Sequence, residues 1–277
     1  MKNDAHAEQD DASGNVCSSI SYMITMAQKP ARYLCTPPPG VPELNWQLAP
    51  ESVQIHNGRP LLTLLSLEKQ GFTLRRVDTA VTDFYDDTQV TEIYYPEVES
   101  LVRDLTGAQK VLVFDYNLRI SSKGDRDKTR AFPPARFAHA DYTQKSAPQR
   151  VRDLLCEGEA QERLLQRYVF INVWRPIKGP VENDALSLCD AQTVAPNDLV
   201  ATDLIYADRT GEFYNVTFNP NHRWYYFRHL EASEVLVFKN FDSHDKRVVP
   251  HTAFRDPTAS PTAPPRESIE VRTIAFL

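Results

Sequence analysis

Apolar and polar positions divide the chain into two covering helices and a longer series of strands. Val98, Leu101, Val102 and Leu105 repeat at helical spacing within Pro96–Thr106, with Pro96 at a first-turn position. Gly107 follows as a left-handed stop. A second helix is predicted from Pro148 to about Gln166, with Val151, Leu154 and Leu155 on one face and Ser146 near its cap. From Val111 the chain reads as strands. Val111–Leu118, Tyr168–Trp174, Asp198–Ala207, Glu212–Phe218, Trp224–His229, Glu234–Phe241 and Ser268–Phe276 are rich in β-branched and aromatic residues. Turn signals at Lys178-Gly179-Pro180, Thr210-Gly211 and Asn219-Pro220-Asn221 separate them. A short strand is expected near His139 and an early one at Ser19–Thr25, while Leu61–Leu67 reads as either strand or helix.

About eight strands after a mixed α/β lead-in predict a mainly β fold with flanking helices. The architecture expected is a double-stranded β-helix, a cupin-like jelly roll, rather than a parallel sheet. Residues 1–16 lack periodicity and are expected as a disordered arm, with residues 17–277 forming one domain whose β-helix core starts at about 111. Asp256–Pro265 reads as one stiff loop before the last strand.

Composition narrows the partners. The 31 Lys and Arg are scattered among 37 Asp and Glu, a net charge of −6, so there is no basic stripe for nucleic acid. No run approaches the roughly eighteen apolar residues of a membrane span. Met1–Gly14 is polar and acidic rather than leader-like, and Cys17, Cys35, Cys156 and Cys189 are far apart with no CxxC pair. A cytoplasmic protein with reduced thiols is expected, acting on a small molecule, with a homodimer as the assembly to test.

Candidate chemistry begins at Phe137-Ala138-His139-Ala140-Asp141-Tyr142. Residues two apart on a strand point to one face, so His139 and Asp141 can reach one metal. His251, 112 residues later, is the expected third ligand, with His222 and His244 as rivals. Two imidazoles and a carboxylate on one face leave positions open for a bidentate 2-oxo acid and O2, the arrangement of non-haem Fe(II) oxygenases. Arg266 and Ser268 share a face about fifteen residues beyond His251. A guanidinium and a hydroxyl so placed suit the distal carboxylate of 2-oxoglutarate. Arg272, on the same face, is the reserve anchor.

Several longer blocks carry a family resemblance. Among them are Gln70-Gly71-Phe72, Tyr94-Tyr95-Pro96-Glu97, Val113-Phe114-Asp115-Tyr116-Asn117-Leu118-Arg119 and His139-Ala140-Asp141-Tyr142-Thr143. Others are Ile171-Asn172-Val173-Trp174-Arg175-Pro176, Asn219-Pro220-Asn221-His222-Arg223-Trp224, Pro250-His251-Thr252-Ala253-Phe254 and Pro265-Arg266-Glu267-Ser268. In this order they resemble the fungal hydroxylase/desaturase family of the AsaB type, which includes the gibberellin desaturase and a meroterpenoid endoperoxide synthase. The resemblance runs over roughly residues 18–277. It implies a double-stranded β-helix and iron(II)/2-oxoglutarate chemistry in secondary metabolism. The outcome stays open among hydroxylation, desaturation, endoperoxidation and ring closure.

The remaining candidates follow from strand phase. Asn172 and Trp174 share one face of their strand and are expected at the cosubstrate and the pocket wall respectively. Tyr142, Trp224 and Tyr225 are expected near the pocket mouth. For an amino-acid substrate, Arg119 or Arg175 would receive the carboxylate if either faces inward. An O2-dependent iron oxidase without 2-oxoglutarate and a non-catalytic cupin-like binding protein are the alternatives.

Overall fold

The computed structural model describes residues 13–127 and 129–277. Within them the strands are, in chain order, β1 (Val16–Met23), β2 (Ala31–Tyr33), β3 (Leu48–Asn57), β4 (Phe72–Arg76), β5 (Lys110–Ile120), β6 (His139–Ala140) and β7 (Tyr168–Pro176). There follow β8 (Leu186–Cys189), β9 (Leu199–Ile205), β10 (Thr210–Val216), β11 (Trp224–Tyr226), β12 (Glu234–Asp242), β13 (His251–Ala253) and β14 (Glu267–Phe276). One sheet runs β1-β3-β11-β8-β13-β6-β10-β9-β2 and the other β4-β12-β7-β14-β5. The two sheets enclose a common core, so the fold is the jelly roll that the strand pattern predicts.

Side-chain alternation explains the layering. On β7 and β12, Trp174, Leu236 and Phe238 turn inward and join Leu188 and Trp224 between the sheets. Their neighbours Val173, Val235 and Val237 turn outward and pack under the helix Tyr95–Thr106 through Val98 and Val102. Both faces of these strands are therefore buried. That helix ends as expected: Gly107 takes φ +69° and its N–H donates to Arg103 O at 2.8 Å.

Three expectations change. The single helix expected over 148–166 is two, Ser146–Leu154 and Glu157–Leu164, because Leu155 and Cys156 are extended. Glu157 and Glu159 then suit the positive end of the second helix. Leu61–Leu67 is neither strand nor helix throughout, but a 3-10 turn at Arg59–Leu61 followed by further turns. The lead-in before residue 111 is part of the β architecture, since β1, β2 and β3 extend the larger sheet and β4 edges the smaller. Of the expected arm over residues 1–16, the first twelve lie outside the described residues, and Val16 already begins β1. Among the described residues, no helix is long and apolar enough to cross a membrane, and all four cysteines are free.

Candidate active site

Strands β6 and β13 are antiparallel neighbours, and His251 is the direct partner of His139. Directly opposed residues place their Cβ atoms roughly 4.5–5.5 Å apart. The two imidazole rings accordingly meet with centroids 4.3 Å apart. Asp141, two residues after His139, completes the group. Its Oδ1 lies 3.7 Å from His139 Nε2 and 3.8 Å from His251 Nε2. One donor atom from each of the three residues falls within 4.8 Å of the others.

Backbone carbonyls set the tautomers. His139 Nδ1 is 2.9 Å from Phe137 O, and His251 Nδ1 is 3.3 Å from Val249 O. The Nδ1 protons point there, leaving the Nε2 lone pairs to face Asp141 Oδ1. Burial, aided by the neighbouring His251, pushes His139 down to about 4. Burial lowers His251 as well. Both rings are thus neutral at ordinary pH, the form that binds a metal. The rings of Phe137 and Phe238 lie 4.7 and 4.8 Å from the two imidazoles and shield them from water.

The second oxygen of Asp141 is occupied. Asn172 Nδ2 donates to Oδ2 at 2.9 Å, and Arg272 Nε faces the same oxygen at 3.4 Å. The Asp141 N–H donates to Asn240 Oδ1 at 3.1 Å. Burial alone would raise this carboxyl, but Arg272, the two imidazoles and Asn172 hold it well below the usual carboxylate range. Two neutral nitrogens and one anionic oxygen on one side fit a divalent iron, with one carboxylate oxygen free to bind it.

Arg266 differs from Arg272 in what surrounds it. Arg272 is engaged by Asp141, Asp115 and Glu270, and its guanidinium donates to the amide oxygen of Asn117. Arg266 is only 4% exposed, its Nη1 donates to Asp184 O at 2.6 Å, and among the described residues its Nε has no acceptor. Ser268 Oγ is buried without a partner too. Burial, then the charge of Arg119, pushes Arg266 down to about 9. It remains a cation, short of counter-charge. Buried orphan donors of this kind are what a bound carboxylate would satisfy. Arg266 shares a small pocket with His139, His251, Trp174, Arg119 and Glu270, so such a carboxylate would lie on the metal side of the sheet. These residues fit 2-oxoglutarate.

A larger cavity of about 670 Å³ reaches His139 and Asp141, with Phe137, Tyr142, Phe213 and Arg119 among its walls. Tyr142 packs on Phe170 with ring centroids 4.2 Å apart. Trp174 faces the small pocket, with Arg266 over its ring at 5.5 Å. Asn172, expected at the cosubstrate, has its amide nitrogen on Asp141 instead, and its Oδ1 is unpartnered.

Trp224 is a correction. It is fully buried between the sheets, and its Nε1 donates to Tyr22 Oη at 2.7 Å rather than lining either cavity. Tyr225 packs against His56 and Phe72. Arg175 faces the outer layer, where it donates to Tyr94 Oη, Ala232 O and Val77 O. His222 bonds Asp198 at 3.1 Å and stacks on Tyr22, away from the triad. Sequence reasoning missed the roles of Asn240 and Glu270. Their signal is polar residues inside strands buried on both faces.

The chain is similar to known proteins along most of its length. Residues 20–276 match the family described as oxidoreductase/YMDC permease-like domain. The chain is 35% identical to the Fe(II)/2-oxoglutarate-dependent dioxygenase nvfI of Aspergillus novofumigatus, over 88% of this chain and 90% of that protein. It is 33% identical to the hydroxylase/desaturase efuI of Hormonema carpetanum, over 76% of this chain and 78% of that protein. The solved structure of the iron and alpha-ketoglutarate-dependent endoperoxidase NvfI superposes with a TM-score of 0.84 at 29% identity, covering 95% of this chain and 98% of that one.

Proposed function

The chain belongs to the iron(II)/2-oxoglutarate-dependent oxygenases of the fungal hydroxylase/desaturase family, and from that premise we propose which of its residues carry the reaction. His139, Asp141 and His251 hold the iron, Arg266 and Ser268 hold the distal carboxylate of 2-oxoglutarate, and the larger cavity holds a small secondary metabolite. Iron(II), 2-oxoglutarate and O2 together supply the oxidant that removes a hydrogen atom from an unactivated C–H bond, with succinate and carbon dioxide released.

The protein's part is to bind and orient. His139, Asp141 and His251 would hold the ion from one side, as a two-histidine, one-carboxylate set does, and would leave room for a cosubstrate. Asn172 and Arg272 retain Asp141 Oδ2, so the ligand contributes Oδ1 alone. Phe137 and Phe238 keep water from the imidazoles, while Tyr142 and Phe213 supply the partly apolar walls that a small-molecule site uses. Which C–H bond lies nearest, and what fills the space beside it, would decide among hydroxylation, desaturation, endoperoxidation and ring closure. Four free cysteines support action in the cytoplasm.

The observation that carries this reading is Arg266, a buried cation with an unpartnered Nε in the same pocket as two ligand histidines. Calorimetric titration of metal-free protein with iron(II) under nitrogen, then with 2-oxoglutarate, tests it. Iron binding is expected to be lost in His139→Ala, Asp141→Ala and His251→Ala and kept in His222→Ala. Arg266→Ala should bind iron normally and 2-oxoglutarate more weakly by about 2–5 kcal/mol. Iron binding and O2 uptake by the wild type without succinate release would instead indicate an oxidase that does not use the cosubstrate.

A further inference from the structure

Building on that reading, we propose that the metabolite carries a carboxylate and that Arg119 receives it. Arg119 lies on β5 opposite Ser268, on the side of the strand that faces the site. It lines both the small pocket beside the triad and the larger cavity. A group bound to it would leave the rest of a molecule in the larger cavity, beside His139 and Asp141.

The charges of that cavity are not balanced. Arg272 is held by three carboxylates, Arg136 pairs with Asp184, and Arg150 faces Asp115 at 3.9 Å. Arg32, Arg119, Lys145 and Arg209 also line the cavity, and among the described residues none of them forms an ion pair within 4 Å, Glu270 acting on Arg119 and Glu212 on Lys145 only at longer range. On the acidic side, Asp115 and Asp141 face Arg272 and Glu212 pairs with Lys29, so Asp153 is the lining carboxylate left without a cation. In a chain of net charge −6, the unpaired charge of this cavity is mainly positive. A cleft lined by one sign of charge concentrates ligands of the other.

Arg119 is the inner member of that set, whereas Arg32, Lys145 and Arg209 are exposed. Its one hydrogen bond runs from Nη1 to Pro133 O at 2.8 Å. Among the described residues the Nε–Nη2 edge has no acceptor, and an edge of this kind grips a carboxylate with two parallel bonds. Arg266 is already placed for the cosubstrate by its burial and its pocket partners, which leaves Arg119 for a second anion.

The test uses protein loaded with iron(II) and 2-oxoglutarate under nitrogen. Probes are abietic acid and 6-methylsalicylic acid, each compared with its own methyl ester by calorimetry. At least one acid should bind roughly tenfold to a hundredfold more tightly than its ester, since the ester loses a charge-assisted contact. Arg119→Gln should abolish the preference and Arg119→Lys should keep part of it, with 2-oxoglutarate affinity unchanged in both. Lack of any preference for acid over ester in the wild type overturns the proposal. So does an Arg119→Gln protein that loses 2-oxoglutarate instead, which would assign Arg119 to the cosubstrate. The affinity for 2-oxoglutarate is measured before any probe is added. A wild type that binds none overturns both this proposal and the oxygenase assignments beneath it.

Discussion

Asp141 divides its work between two oxygens, one facing two imidazoles and one held by Asn172 and Arg272. Partners of this kind orient a ligand and tune its basicity, and their loss typically weakens metal affinity by about 10–100-fold. Asn172→Ala should therefore bind iron(II) more weakly by about that factor in a competition titration with a metal-sensitive dye. Unchanged affinity would mean that the clamp is ornamental. Trp224→Phe makes the contrasting case. It removes the bond to Tyr22 Oη and should cost about 1 kcal/mol of stability, read from denaturant unfolding, with 2-oxoglutarate affinity intact. A change in cosubstrate affinity would return Trp224 to the pocket.

The strands that carry the ligands are short, β6 with two residues and β13 with three, so their neighbours must hold them in register. Gly71 belongs to that support. Its carbonyl accepts from Lys239 N–H at 2.8 Å, and Lys239 O accepts from Val249 N–H at 3.1 Å, two residues before His251. Gly71 takes φ +87°, and an added Cβ would collide with Val249 Cγ2. Gly71→Ala should lower stability by about 1–3 kcal/mol and also weaken iron binding. Gly107→Ala, at a helix end where a Cβ would meet nothing within 4 Å, should cost about 1 kcal/mol and leave iron binding alone. Equal effects of the two on metal affinity would show that the β4 turn does not support β13.

For the molecule as a whole, the buried imidazoles couple stability to pH. Burial holds His139 at about 4, against 6.5 for a free imidazole, and lowers His251 and His222 in the same direction. Between these values the unfolded chain binds protons that the native protein refuses. The metal-free protein should thus be fully stable above about 6.5 and lose stability as pH falls toward 4, with His139 alone contributing on the order of 3 kcal/mol. The midpoint of thermal unfolding at pH 7, 6 and 5 measures this. Iron(II) needs the neutral rings, so it should raise that midpoint more at pH 7 than at pH 5. A midpoint independent of pH across that range would show that the rings are not buried as neutral groups.

What the sequence determined by itself is local and periodic. The two-residue period puts His139 and Asp141 on one face, and Arg266, Ser268 and Arg272 on another. Glycine's tolerance of positive φ ends a helix at Gly107, and the strand-rich run from Val111 onward implies the jelly roll. Register between distant segments was decided only by the tertiary structure. His251 rather than His222 opposes His139 because β13, not β11, pairs with β6, and strands of two or three residues are too short to show a period. Arg266 and Arg272 share a face, yet only the pairing of β5 with β14 and the approach of Asp141, just beyond β6, bring Asp115 and Asp141 to Arg272 and leave Arg266 with open donors. Trp224 has the composition of a pocket wall, but its strand lies between β3 and β8, where both faces are closed. Pattern specifies which face a side chain takes, and the fold specifies what that face meets.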